Sequence, residues 1–378
     1  MIHPHDIFSH KEPWTIRIKS LAFELKKKGH EITLISFTLD GFENKPFFMD
    51  GIKYITFSRK LSLKYFFQKI KRLKQIFVNA DIIHFQKCFH FASIPTVIAS
   101  ILAKKKIHYD WDDDETAIYF SGNKTPSRVI GICIWLLELF IPKIADTVSV
   151  SSEALYQKAL KYGVAKDKLI KVPVGSILQN IDQDKIALIR EKFKLPFPSQ
   201  IYIGQLHGGQ YADLVLYACK MLKDDGITTK TLIVGDGYDR KRLEKLKDDL
   251  ELTNEVIFTG AIPHKKVFSY LKASDIAIAA FEKNNVTISK SPLKIAEYLS
   301  AGKAIVAHNV GEVAYMLNSC GILANPDDSD SLFQKLKELH KNSDKIKILE
   351  NKALKQSEQL RWSHSAKKLD NLFLNVKA

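Results

Sequence analysis

The chain has 378 residues, more than a single hydrophobic core organises, so two domains are expected. Hydrophobic residues make up 46% and charged residues 26%, a globular balance that excludes a disordered chain. Lys and Arg number 57 against 42 Asp and Glu, and the net charge of +15 favours polyanionic partners: nucleic acid, anionic lipid or phosphorylated small molecules.

The N-terminal MIHPHDIFSHKEPW lacks the apolar core of a signal peptide. Strands and helices then alternate. Thr15–Lys28 reads as a helix stopped by Gly29, and His30–Phe37 as a strand. Only MIHPHDI precedes that helix, so the first strand is short or truncated, and the glycines expected after it are absent. Lys53–Phe57 is a strand, Leu61–Val78 a helix, Asp81–Phe85 a strand, Ile94–Ala103 a helix and Lys106–Trp111 a strand. Val129–Pro142 (VIGICIWLLELFIP) is too short to span a bilayer and contains Glu138 and Pro142, which predicts a buried or interfacial helix in a soluble or peripheral, cytoplasmic protein. Thr147–Val150 and Leu169–Val172 are strands around the helix Ser152–Lys161.

The second half repeats the rhythm. Strands at Gln200–Ile203, Thr231–Val234, Val256–Phe258, Ile276–Ala279 and Ala304–Ala307 are separated by helices at Asp213–Lys223, Arg240–Leu250, Lys265–Lys272 and Pro292–Ser300. Such alternation predicts parallel sheets covered by helices, hence two Rossmann-like domains in an α/β protein, facing across a cleft. The boundary fits Val172–Asn180, giving domains 1–175 and 176–357, with a last helix at about 358–378 crossing back to the first. Ligands of such sheets bind at the carboxyl ends of the strands. Four cysteines (Cys88, Cys133, Cys219, Cys320) form no CxxC pair and read as buried free thiols of a reducing compartment.

The segment carrying most chemistry is 286–307, VTISKSPLKIAEYLSAGKAIVA. Ser291-Pro292 is a helix-start signal, with Ser as cap and Pro at the first helical position. The first backbone N–H groups of that helix make an anion site, and Lys290 and Lys294 add charge suited to a diphosphate. Glu297 lies further along the face of Leu293 and Lys294, where a carboxylate can accept two ribose hydroxyls. An amphipathic helix with solvated charges is the alternative.

This segment resembles the donor site of the retaining family-4 glycosyltransferases (group 1), which have the GT-B fold. Many members carry Glu, seven residues, Glu; here the second is Glu297 and Ser289 stands in place of the first. Val234–Gly237, Val256–Pro263, Ala145–Ser152, Gly29–Thr33 and Trp362 also resemble family motifs, in the family's order, over roughly 15–370. The resemblance implies that Glu297 binds the ribose, that Leu293 and Lys294 lie by the diphosphate, and that Ile262 lies near the base; Ser289, Lys290, Ser291, Pro292, Gly204 and Gly235 complete the candidate donor-binding residues. Members have a basic residue in the loop after the first strand of the second domain; Gly204–Gln210 has none, so Lys290 and Lys294 would supply the charge or that contact is weaker. The fold implies metal independence, with no cofactor besides the nucleotide-sugar donor.

Lys106–Glu115 (KIHYDWDDDE) ends a strand in carboxylates where members often place a His facing the sugar. Asp110 and Asp112 are the nearest equivalents and the candidate catalytic groups. A metal-binding Asp-x-Asp and a solvated acidic loop are the competing readings. His84 and His5 are candidate acceptor-side residues. Ser58–Lys74 interleaves Arg59, Lys60, Lys64, Lys69, Lys71, Arg72 and Lys74 with apolar residues; this basic amphipathic helix either docks on anionic membrane or packs as a surface helix, and no nucleic-acid motif accompanies it. The expectation is transfer of a sugar from a nucleoside diphosphate to a hydroxyl of a saccharide or lipid-linked acceptor, with retention, in cell-surface polysaccharide or glycolipid synthesis, by a protein peripheral on the inner membrane face. An inactive nucleotide-sugar-binding scaffold and a nucleotide-sugar epimerase are the alternatives.

Overall fold

The computed structural model describes residues 1–9, 15–60, 62–121, 127–207 and 211–377. Expectations that fall on His10, Leu61 and Gly208–Gln210 lie outside the described residues. The chain divides into two compact units. The first is Met1–Val174, Ser289–Ser291 and Trp362–Ala378; the second is Gly175–Ile288 and Pro292–Arg361.

The first unit is built on eight strands: β1 (Ile2–His3), β2 (Thr33–Thr38), β3 (Phe47–Met49), β4 (Ile52–Ser58), β5 (Ile82–Gln86), β6 (Lys106–Trp111), β7 (Thr147–Val150) and β8 (Leu169–Lys171). They lie in the order β3-β4-β2-β1-β5-β6-β7-β8. All pairs are parallel except β3 with β4, a hairpin closed at Asp50-Gly51 with positive φ of 52° and 69°. That Asp-Gly turn is a hairpin signal the strand-by-strand reading passed over. The first strand is as short as expected: two residues, yet central, with Ile2 paired to Ile35 of β2 and to Phe85 of β5.

The second unit has six parallel strands: β9 (Gln200–Ile203), β10 (Thr231–Val234), β11 (Val256–Gly260), β12 (Ile276–Ala279), β13 (Ala304–His308) and β14 (Ile322–Ala324). Their order is β11-β10-β9-β12-β13-β14. β10 and β12 are buried along their whole length, as strands covered on both faces must be.

Two helices bear on the sequence reading. The apolar segment forms the helix Arg128–Ile144, but only Gly131, Ile134, Glu138, Ile141 and Pro142 are buried. It exposes a broad apolar side, and Cys133 on it is exposed while the other three thiols are buried. No helix among the described residues is long and apolar enough to cross a membrane. The last helix, Trp362–Lys377, belongs to the first unit: it packs on the helix Ile16–Lys27, and Asp370 pairs with His30 (2.7 Å) and Lys28 (3.3 Å).

Candidate functional site

In each sheet the strand order reverses direction once, and a parallel sheet opens a crevice where that happens. In the second sheet the reversal lies between β9 and β12; in the first it lies between β1 and β5.

At the second unit's switch point, the loops after β9, β10 and β11 meet through glycines. Gly204 N–H donates to Val234 O (3.0 Å), and Gly235 N–H donates to Gly260 O (3.2 Å). Gly235 has φ of +148°, and a Cβ there would meet Gly204 O at 1.8 Å. The two backbones therefore touch where a ligand's phosphates would need close approach.

The helix Leu293–Ser300 enters this crevice. Its N-cap is Pro292, without a side-chain capping bond, so the expected cap role of Ser291 is not met. Pro292 carries no N–H, which leaves Leu293 and Lys294 as the first donors of the helix. Ser289 ends the short helix Asn285–Ser289 and is buried, as is Ser291; Lys290 is half-buried.

Tyr298 fixes the helix to the sheet. Its hydroxyl accepts from Ile203 N–H (2.9 Å) and donates to Ile278 O (3.2 Å), bridging β9 and β12 at the reversal. Lys294 Nζ then lies 4.4 Å from the Tyr202 ring centre and 5.3 Å from that of Phe281. It is 3.1 Å from where a Gly204 Cβ would be. Lys294 thus brings charge to the Gly204 loop, whose described residues contain no Lys or Arg. Glu297 Oε1 lies 2.8 Å from His264 Nε2, at the start of the helix His264–Ala273. Ile262 is half-buried just before it. His264 was not among the sequence candidates, since 33 residues separate it from Glu297.

The first unit's crevice is lined differently. His5 lies just beyond β1, its ring 5.0 Å from Phe89 and 5.2 Å from His3. Asp110 is fully buried. Arg17 holds both its oxygens, Nε at 2.8 Å from Oδ2 and Nη2 at 2.7 Å from Oδ1, and Ser149 donates to Oδ1. Burial alone would raise its pKa, but the Arg17 charge and hydrogen bonds hold the carboxyl well below the ordinary range. Asp110 is therefore a core partner of Arg17 and offers no open oxygen to a sugar. His84 is likewise enclosed, stacked on His108 (5.0 Å) and edge-on to Phe373 (6.2 Å); burial keeps it neutral, and its position within β5 removes it from an acceptor's reach.

Asp112 is the more available of the two aspartates. Its Oδ2 accepts from Gln86 Nε2 (2.6 Å), and Oδ1 lies 3.4 Å from Lys87 Nζ. Lys87, in a left-handed conformation (φ 64°) just after β5, also pairs with Asp113 (2.7 Å) and Glu115 (2.7 Å). Asp112, Asp113 and Glu115 are close enough together to be ligands of one metal ion. The cation they already surround is the Lys87 ammonium. Burial pushes the Asp112 pKa up to about 7 against the pull of the Lys87 charge, and the negative neighbours Asp113 and Asp110 add to the rise.

Two Rossmann-like units with these crevices make the fold of the GT-B glycosyltransferases. The chain superposes on Anabaena HepE in complex with UDP-glucose with a TM-score of 0.75 at 15% identity, covering 99% of each chain. Residues 187–356 match the family Glycosyl transferases group 1. It is 24% identical over 305 residues to the alpha-monoglucosyldiacylglycerol synthase of Streptococcus pneumoniae, covering 77% of this chain and 66% of that protein. It is 24% identical over 201 residues to the putative colanic acid biosynthesis glycosyl transferase WcaI of Escherichia coli, covering 50% of this chain and 47% of that one. The chain thus spans just under two thirds of the first relative and about half of the second.

Proposed function

We propose that the protein is a glycosyltransferase that moves a sugar from a nucleoside diphosphate donor to a hydroxyl acceptor with retention of anomeric configuration. The observation carrying this reading is the arrangement at the β9/β12 reversal: Lys294 against the Gly204 loop, with Glu297 one turn further along the same helix. Lys294, with Lys290 preceding it, stabilises the departing diphosphate, and Glu297 accepts the ribose hydroxyls. The bond from the sugar's anomeric carbon to the diphosphate breaks, a bond to the acceptor oxygen forms, and the acceptor's proton passes to the leaving phosphate. Ser289, Ser291, Pro292, Leu293, Gly204, Gly235 and Ile262 complete the donor side. A thermal-shift screen over UDP-, GDP- and ADP-sugars tests it, because a specific donor raises the midpoint by mass action. Binding without any turnover, in the presence of varied acceptors, would instead identify a scaffold.

Asp112 is the sugar-side carboxylate in this reading, and His5 borders the acceptor. With a pKa of about 7, Asp112 is mostly protonated at pH 6 and ionised at pH 8. A carboxylate that stabilises an oxocarbenium-like centre must be ionised, so kcat/KM rises as pH climbs through about 7. Asp112→Asn should remove that limb of the profile; an unchanged limb excludes the role. The central Lys87 supports a metal-independent reaction, which predicts equal rates with and without EDTA.

The acceptor in this reading is a saccharide or a lipid-linked saccharide at the cytoplasmic face of a membrane, in polysaccharide or glycolipid assembly. The first relative is a glycolipid synthase by name. The helix Leu63–Phe77 exposes Lys64, Lys71 and Lys74, beside exposed Lys60. Three other cations of Ser58–Lys74 serve the fold: Lys69 is buried and donates to Phe91 O, Arg72 pairs with Glu43, and Arg59 donates to Phe37 O. Co-sedimentation with phosphatidylglycerol vesicles should weaken as salt rises. Salt-independent binding would remove the electrostatic part of this reading.

A further inference from the structure

The helix Arg128–Ile144 carries a run of large apolar side chains on its exposed side. Val129 is 71% exposed, Ile132 53% and Phe140 50%, and Ile130, Trp135, Leu136 and Ile144 are exposed with them. At ~1.5 Å per residue, the apolar strip from Val129 to Ile144 runs roughly 22 Å. Single exposed apolar side chains need no explanation, but a continuous strip of this length on a soluble surface marks an interaction site.

The charges on this helix are ordered. Its one acidic residue, Glu138, points inward: it accepts from Glu115 N–H (2.7 Å) and Thr116 Oγ1 and pairs with Lys158 (3.2 Å). The exposed side carries no acid at all, and its two cations, Arg128 and Lys143, stand at the two ends. A helix lying flat in a lipid interface has this pattern, with apolar residues in the acyl boundary and cations at headgroup level.

The helix also has suitable neighbours. Arg128–Ile144 packs on the helix His90–Leu102, which packs on Leu63–Phe77, and all three bury residues in the same core cluster. Ile101 and Leu102 at the end of the middle helix are exposed, as are Leu63 (80%) and Phe67 (66%) among the lysines of the third. One layer of helices therefore presents apolar side chains with basic ones and no exposed acid on the apolar helix. A second copy of the chain would bury apolar area equally well but would bring a surface as basic as this one, so charge complementarity favours an anionic lipid surface.

We propose that Arg128–Ile144 is a monotopic anchor that inserts its Val129–Ile144 side into the headgroup–acyl boundary of an anionic membrane. The site is separate from the donor-binding residues, and its test does not require turnover, so it stands or falls independently of the transferase reading. Of the four tryptophans, Trp135 lies on the exposed side, Trp111 and Trp362 are buried, and Trp14 lies outside the described residues, so the measurement is made in a Trp14→Phe background. With vesicles of phosphatidylglycerol and phosphatidylcholine brominated on the acyl chains, tryptophan emission should be quenched, and Trp135→Phe should remove the quenched component. The exposed-site double variant Ile132→Glu/Leu136→Glu should lower vesicle partitioning about tenfold or more while leaving the melting temperature unchanged. The proposal is overturned if vesicle-bound protein shows no Trp135 quenching. It is equally overturned if the double variant partitions like the parent but dissolves a dimer seen by sedimentation, which would assign the strip to a second copy.

Discussion

Arg17→Met should lower the folding stability by about 3–5 kcal/mol, the usual cost of leaving one partner of a buried ion pair unpaired. Asp110 then keeps a charge in the core with Ser149 Oγ and, 4.0 Å away, the His84 ring to meet it. A urea titration of the variant measures the loss directly. Arg17→Met with Asp110→Leu should recover most of it, because an apolar replacement of the whole pair removes the stranded charge. The native pair also predicts acid sensitivity. The folded pKa of Asp110 lies below its ordinary value of 3.8, so the contribution is fully present above that value and is lost as pH falls through the lower folded value. If Arg17→Met melts with the parent, the pair does not anchor β6, and the placement of Asp112 two residues on needs another cause.

Glu297→Gln should weaken binding of UDP or another matching nucleotide roughly ten- to hundredfold while leaving the fold intact. A charge-assisted hydrogen bond contributes about 1.5–3 kcal/mol, and the neutral amide keeps the shape of the side chain without the charge. Calorimetric titration at fixed salt reads this out. Unchanged affinity would mean that the ribose does not meet Glu297. The 2.8 Å contact with His264 adds a condition: a ribose must share or displace that partner, so His264→Ala should leave Glu297 free to bind with little loss.

The alternation of strands and helices was plain in the sequence because each parallel strand is a short apolar run and each helix a longer periodic one. The donor-side helix was legible for the same reason, and Glu297 stood out by spacing from Leu293 and Lys294. What the sequence concealed is what depends on distant partners. Asp110 and Asp112 look alike in KIHYDWDDDE, yet Arg17, 93 residues away, encloses the first and leaves the second to Gln86 and Lys87. Lys87 carries no motif at all; its reach into three carboxylates follows from a left-handed turn after β5. VIGICIWLLELFIP reads as a buried or interfacial helix without a choice between the two, because hydropathy counts apolar residues without regard to which way they face. Ser291-Pro292 signals a helix start, but the cap falls on Pro292 itself.

The contact between Gly204 O and the α-carbon face of Gly235 has a consequence for redesign. Two loops whose backbones touch without room for a methyl group cannot be varied one at a time. A Cβ on Gly237 would likewise meet Leu206 O at 2.0 Å. Exchanging donor preference with a homologous domain would therefore require transplanting 204–207 and 235–239 together, as one cassette with a shared backbone shape.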